Sequence, residues 1–227
     1  MSYGIRIVCL ASSWKHAGRC IAGKQVLASG FGGWVRPVSA RSGAEISDEE
    51  RQCTDGSMAG PLDVLDIPLE RPVPELHQTE NHLIDPRAQW VKAATLPPAE
   101  LGTLVDHPDQ LWPNGSSTGH GLNDRVSARA AAELHWSLAL IEPEEPFVLV
   151  QDDGKSQSVR AGFVYNGMPY NFSITDPALL RAFRGKPRGR YPLAECWLCV
   201  SLGERFEDGY CYKLAAAVLG KPGPAEL

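Results

Sequence analysis

The chain has 227 residues, of which 43% are apolar, and its formal net charge is -5. This length can bury a hydrophobic core, and at roughly 150 residues per domain it predicts one large or two small domains. No stretch approaches the about 20 consecutive apolar residues of a membrane-spanning helix. Residues 1–10 show no signal-peptide pattern, so we predict a cytoplasmic protein without membrane association. Six cysteines are too few for a disulfide framework.

The charges are unevenly distributed along the chain. Residues 1–41 contain six Lys or Arg and no acid, residues 42–153 contain six basic and 21 acidic residues, and residues 154–227 contain ten basic and six acidic residues. Two basic ends around an acidic middle indicate a polyanionic ligand at the ends. The alternative is that acidic loops only keep the protein soluble, because a pattern along the sequence does not establish clustering in space.

The first 75 residues predict strands joined by long loops. Residues 3–10, 33–38 and 62–69 are rich in apolar and β-branched residues and are bounded by Gly or Pro, which is typical of strands. Residues 11–18 are predicted as a polar loop, and residues 20–28 as a strand or one short helix.

The middle of the chain is predicted to be irregular. Several prolines interrupt residues 76–122, where only residues 99–104 suggest a short helix. Asn123 or Asp124 is a suitable N-cap for a helix that continues to about residue 134, and the alanine-rich composition there supports it.

The second half again predicts strands. They cover residues 136–141, 147–150, 159–165, 168–174, 196–202 and 210–218. Asn166-Gly167 between two alternating runs is the strongest hairpin signal in the chain. Asp176-Pro177 can open a short helix that ends at Phe183.

Each half therefore has about five strands and one short helix, which is compatible with a small Greek-key barrel such as the OB fold. The predicted fold is mostly β, with two OB-like Greek-key barrels packed together, one or two short helices and long loops. We predict that residues 1–122 form the first barrel with a Pro-rich extension. Residues 123–227 are predicted to form a short helix and the second barrel.

Several strings resemble one known family. They are CLASSWKHAGRCIAG at 9–23, GWVRPVS at 33–39, LDIP at 65–68, ENHLID at 80–85, LWPNG at 111–115, GLNDRV at 121–126, VSLGE at 200–204 and CYKL at 211–214. Together they resemble the bacterial dual-OB-containing domain proteins over nearly the whole chain. The resemblance implies two OB-like barrels, and it implies nucleic-acid binding only by analogy with other OB folds.

Two aromatic–basic clusters in the first half are candidate binding sites for single-stranded nucleic acid, whose phosphates attract cations and whose bases stack on flat side chains. The first cluster follows the first strand and contains Trp14, Lys15, His16, Arg19 and Lys24. The alternative for this cluster is an exposed loop whose tryptophan folds onto the core.

The second cluster contains Phe31, Trp34, Arg36 and Arg41. Trp34 and Arg36 share one strand face because they are two residues apart. A guanidinium and an aromatic ring on one face can hold a phosphate and a base. The alternative places Trp34 in the barrel interior.

The segment 181–191 is the most basic part of the chain. Among its five positive charges, Arg184, Lys186, Arg188 and Arg190 are predicted phosphate contacts. Tyr165 is a further candidate for stacking on a base. The alternative for this segment is a solvated loop without a ligand.

The loop before the predicted middle helix offers a different site. Asn114, Ser117, Asn123 and Arg125, together with His16, are candidates for a nucleotide or anion pocket between the barrels, because open amides at a helix N-terminus attract anions. The alternative is a plain capped loop. The loop lacks the lysine spacing of a P-loop.

Metal and catalytic signals are weak. Cys196 and Cys199 have the C-x-x-C form, but no second pair completes a zinc site, and common catalytic motifs are missing. The sequence thus predicts no metal and no cofactor, and it favours a binding module over an enzyme. The leading hypothesis is a module for single-stranded DNA or RNA. The alternatives are an enzyme or sensor for a small phosphorylated ligand, and a protein–protein adaptor.

Overall fold

The structure is a computed structural model that describes residues 2–152 and 157–221. The chain divides into two compact units, Met1–Leu104 and Val105–Leu227, which we call barrel 1 and barrel 2. The sequence-based division at residue 122 had assigned residues 105–122 to the first barrel. In the structure this segment belongs to barrel 2, because Leu111 and Trp112 are buried in the core of that unit.

Barrel 1 follows the strand order of an OB fold. Within its described residues it has six strands and one 3-10 helix: β1 Tyr3–Lys15, β2 Gly18–Leu27, β3 Gly30–Val38, β4 Asp63–Pro72, β5 Asn81–Ile84, β6 Val91–Thr95 and the 3-10 helix Pro98–Leu104. The first three strands form an antiparallel meander, β3 pairs with β5 in parallel, and β4 pairs with both β5 and β1. The order 1-2-3-5-4-1 closes the barrel, as in the OB fold. Its core includes Ile7, Cys9, Ile21 and Val35.

Barrel 2 repeats this order with additional edge strands. Its described elements are β7 Arg125–Ser127, α1 Ala128–Ala131, β8 Leu138–Ile141, β9 Glu144–Asp152, β10 Gln157–Tyr165, β11 Met168–Ile174, α2 Pro177–Phe183, β12 Gly189–Pro192, β13 Cys196–Arg205 and β14 Tyr210–Gly220. The sheet order is β12-β9-β10-β11-β14-β13-β8, with β11 and β14 parallel and β7 paired with β14. Strands β9, β10, β11, β13 and β14 thus correspond to OB strands 1 to 5, while β12 and β8 extend the two edges.

Two local predictions are confirmed. Asn166 and Gly167 form the β10–β11 turn with φ angles of 49° and 73°, as the primed hairpin turns require. Helix α2 begins after Asp176, whose carboxylate accepts hydrogen bonds from the backbone amides of Ala178 and Leu179.

Other local predictions are wrong. The predicted helix from residue 123 or 124 is replaced by strand β7, which pairs with Tyr210–Tyr212 of β14. Helix α1 begins only afterwards, with Ser127 as its N-cap, because pairing with a neighbouring strand overrides the helical preference of the segment. The predicted polar loop at residues 11–18 is mostly the end of β1, since its residues up to Lys15 pair with β2. Strands β5 and β6 also lie in the segment that was predicted to be irregular.

Candidate nucleic-acid interface

One face of barrel 2 carries both apolar and cationic groups. Val159, Ala161 and Phe163 of β10 belong to the core, so Arg160 and Gly162 between them lie on the outer face of the sheet. The strand register extends this outer face to β9 and β12, because Gly162 is paired with Phe147 and Arg190 is paired with Leu149. The corresponding face of other OB folds binds oligonucleotides. We call residues 147, 149, 160, 162, 171, 173 and 190 the outer face of barrel 2.

An aromatic–arginine stack lies on the β12–β9 half of this face. The Phe147 ring covers Gly162 so closely that a Cβ atom at Gly162 would lie 2.0 Å from Phe147 Cζ. The guanidinium carbon of exposed Arg190 lies 3.6 Å from the centroid of the Phe147 ring. Residue 162 must therefore be glycine for the ring to take this position, and the stack presents a planar cation beside an aromatic surface.

The basic segment Arg184–Arg190 leads directly into this stack. Arg184, Lys186, Arg188 and Arg190 are all exposed, and among the residues that the structure describes none of them forms an ion pair with a carboxylate. Gln157 of β10 attaches the segment to the sheet, because its Nε2 donates to the Lys186 carbonyl at 2.8 Å and its Oε1 accepts from the Gly185 amide at 2.9 Å. The segment is thus a fixed array of cations rather than an unattached loop.

The cation on the β10–β11 half of the outer face is already paired with a carboxylate of the chain itself. Arg160 Nη2 lies 2.5 Å from Asp124 Oδ2, and both side chains are at least nine-tenths buried. Arg160 also donates to the Ser173 hydroxyl at 2.7 Å and to the Asn171 carbonyl at 2.8 Å. Leu122 forms backbone hydrogen bonds with Asn171 in both directions. The segment 114–124 therefore lies along the edge of β11, and two of its residues, His120 and Asp124, contact side chains of this half of the face.

The predicted anion pocket is internally hydrogen-bonded. The Asn123 side chain accepts from the Gly115 amide at 2.8 Å, and the Asn123 amide donates to the Ser117 hydroxyl at 2.9 Å. Arg125 donates to Ser116 and stacks on the Tyr210 ring at 4.2 Å. His16 belongs to barrel 1. The polar groups of this loop thus bind one another.

A buried lysine anchors the same segment. Lys213 lies on β14 between the core residues Cys211 and Ala215, and its Nζ donates to Asn114 Oδ1 at 3.0 Å. The Asn114 amide in turn donates to the Tyr170 hydroxyl at 3.1 Å. Burial lowers the pKa of the Lys213 amine to about 7, although the charge of Asp124 partly opposes this effect. Sequence reasoning did not identify Lys213, because an isolated lysine in a strand gives no signal of burial.

In barrel 1 the predicted aromatic–basic cluster lies at the tip of the β1–β2 hairpin. Trp14 is 45% exposed, and the Arg19 guanidinium carbon lies 3.5 Å from the centroid of its ring. Trp14 and Arg19 are a cross-strand pair, and His16 lies in the turn with a φ of 48°. Lys15 is half-buried in the same hairpin. The loop between OB strands 1 and 2 borders the ligand surface in this fold, so the exposed indole is well placed for stacking.

The second predicted cluster of barrel 1 is largely buried. Trp34 and Arg36 do share one strand face, but Arg36 is 2% exposed and Nη2 lies 3.0 Å from Glu80 Oε1. Lys24 is also buried, with its Nζ 5.6 Å from the half-buried Trp34 ring. Arg36 and Lys24 are therefore not surface contacts for phosphates, because their charges are already desolvated.

Tyr165 is likewise removed from the candidate interface. Its ring belongs to the core of barrel 2, and its hydroxyl donates to the Pro108 carbonyl at 2.9 Å. The structure presents Phe147 instead, which sequence reasoning missed. Gly162 inside a strand was the signal that could have indicated a close contact there.

The residues that the structure describes lack two other functional features. The described residues contain no group of three or more His, Cys, Asp or Glu side chains that could hold a metal ion. None of the described helices is long and apolar enough to cross a membrane.

The two strand orders define a chain of two OB-type units. The model of a family described as the dual OB-containing domain matches residues 5–218, and the chain belongs to this family. No curated protein and no solved structure matches the chain in the corresponding searches.

Proposed function

We propose that this protein binds single-stranded DNA or RNA in the cytoplasm, with barrel 2 as its main contact. The observation that carries the proposal is the Phe147–Arg190 stack at the end of the exposed basic segment Arg184–Arg190. Cations along a strand neutralise phosphates, and the guanidinium plane of Arg190, backed by the Phe147 ring, offers a flat surface on which a base of any identity can stack. The exposed Trp14 ring of barrel 1, with the half-buried Arg19 against it, offers a second contact of similar chemistry. The six cysteines are all free thiols, which suits a reducing compartment.

The dependence of affinity on salt tests this proposal. Four cations that each neutralise one phosphate predict a slope of about -3 for log affinity against log salt on a single strand. We would measure the anisotropy of labelled dT12 and rU12 oligonucleotides at salt concentrations between about 50 and about 300 mM. A slope near zero would overturn the proposal.

A pair of double variants with equal charge changes provides the control. Arg184→Gln/Arg188→Gln should reduce the magnitude of the slope of log affinity against log salt by about 1.4, because two phosphate contacts are lost. Arg71→Gln/Arg129→Gln removes two exposed cations outside the basic segment and should leave the slope nearly unchanged. Equal effects of the two variants would show that only net charge matters.

Competition by mononucleotides tests the small-ligand alternative. Mononucleotides should displace the oligonucleotide only weakly from a surface that binds a strand.

A further inference from the structure

We infer that nucleic acid on barrel 2 follows only the β12–β9 half of the outer face, because Asp124, from the segment 114–124 that lies along the edge of β11, already holds the cation of the β10–β11 half. In this arrangement the Asp124 carboxylate takes the position at Arg160 that a phosphate would otherwise take. The inference rests on the proposed function and specifies the extent of its binding site.

The contacts between this segment and the sheet are numerous. Besides the Asp124–Arg160 ion pair, Asn171 Nδ2 donates to the His120 carbonyl and Asn123 Nδ2 donates to the Pro169 carbonyl, at 3.2 and 3.1 Å. The Thr118 amide and hydroxyl both donate to Asp124, at 2.8 and 2.7 Å. The carboxylate is therefore held in place by its own loop as well as by Arg160.

The segment is also continuous with the core. Leu111 and Trp112, which precede it, are fully buried, and the Trp112 ring stacks on Trp136 with 4.7 Å between ring centroids. Asn114 links it to Lys213 and Tyr170 in the barrel interior. Moving the segment off the sheet would leave the buried Arg160 charge without its carboxylate, which is strongly unfavourable. We therefore regard the segment as a fixed wall of the binding site.

The two halves of the face consequently differ in charge. Arg160 is neutralised and desolvated, whereas Arg190 is exposed and flanked by further cations. A phosphate approaching the β10–β11 half meets an arginine whose two Nη atoms already have partners, and the Asp124 charge opposes it. The open edge is short, since the four residues of β12 span about 13 Å. We expect contact with about four nucleotides, the lower end of the range for OB folds.

Two arginine variants on the same face test the inference. Arg190→Gln should weaken the affinity for dT12 about fivefold, because it removes one stacked cation. Arg160→Gln should change that affinity by less than about twofold, provided that circular dichroism shows a folded protein. Similar losses for both variants would overturn the inference.

Amide chemical shifts of the wild-type protein provide a test that does not depend on the folding of a variant. Titration with dT4 and then dT12 should shift the amides of residues 147, 184–186 and 188–190 in both cases. Residues 160, 171 and 173 should not move. Shifts at those three residues with dT12 would refute the fixed wall while leaving the proposed function intact. Absence of any shift would refute the proposed function itself.

Discussion

The buried amine of Lys213 should make the stability of barrel 2 depend on pH in a predictable direction. Lys213 is 1% exposed, and burial lowers the pKa of its amine from the ordinary 10.5 to about 7. Between these two values the unfolded chain binds a proton that the folded protein does not. The free energy of unfolding should therefore rise as the pH increases from 7 towards 10.5, and it should be lowest at and below pH 7.

The size of the effect follows from the pKa difference. Each pH unit inside this window contributes up to about 1.4 kcal/mol. From pH 7 to pH 9 we expect a gain of about 2 kcal/mol, because half of the Lys213 amines are still protonated at the lower limit. Tyrosine and cysteine side chains also titrate above pH 8, so the wild-type curve alone does not isolate the lysine.

A comparison with Lys213→Met removes these shared contributions. Urea unfolding followed by tryptophan fluorescence at pH 7, 8 and 9 should show that the wild type gains about 2 kcal/mol on the variant. Lys221→Met is the matched control, because the carboxylate of Glu142 raises the pKa of Lys221. Lys221 should therefore not change the pH dependence of the free energy of unfolding between pH 7 and pH 9. If the wild-type and Lys213→Met curves run parallel, the Lys213 amine is not desolvated in the way that the structure indicates.

Three further substitutions test individual contacts. Gly162→Ala places a methyl group against the Phe147 ring, so it should weaken oligonucleotide binding severalfold in the anisotropy assay, and unchanged binding would argue against a role of this ring. Asp176→Ala removes acceptors for the amides of Ala178, Leu179 and Val218 and should reduce the free energy of unfolding by about 2 kcal/mol in urea. Gly167→Ala forces a side chain into the left-handed turn conformation and should cost about 1 kcal/mol in the same assay. A loss well below these values would mean that the cap or the turn relaxes without strain.

The parts of the fold that were predictable depend on local chemistry. Asn166-Gly167 supports φ angles above zero, and Asp176-Pro177 combines a carboxylate cap with a preset φ, so both determine their structure without distant partners. The segment at residues 125–127 has no such independence. The alanine-rich residues 128–134 that follow favour a helix, but pairing of residues 125–127 with β14 determines the observed strand and delays the start of the helix.

The same distinction between local and distant determinants explains which residues of the candidate site were predicted from the sequence. The cations of residues 184–190 were identified from sequence because a basic run without acids has no local partner. Phe147 was missed because its position depends on Gly162 of the neighbouring strand. Arg36 was misjudged because its partner, Glu80, lies 44 positions further along the chain. A buried ion pair between such distant residues cannot be recognised from the alternation of residues in a strand.

The ion pairs also change the interpretation of the charge distribution. Half of the six cations in the N-terminal basic region are paired with acids of the middle region, since Arg6 pairs with Asp66, Arg36 with Glu80 and Arg41 with Glu50. The basic segment of barrel 2 has no such counterpart among the described residues. A chain with a net charge of -5 can therefore still present a strongly positive surface to a single strand, because the local field depends on which charges are paired. This asymmetry is the reason for assigning the main contact to barrel 2, although the sequence shows basic residues at both ends.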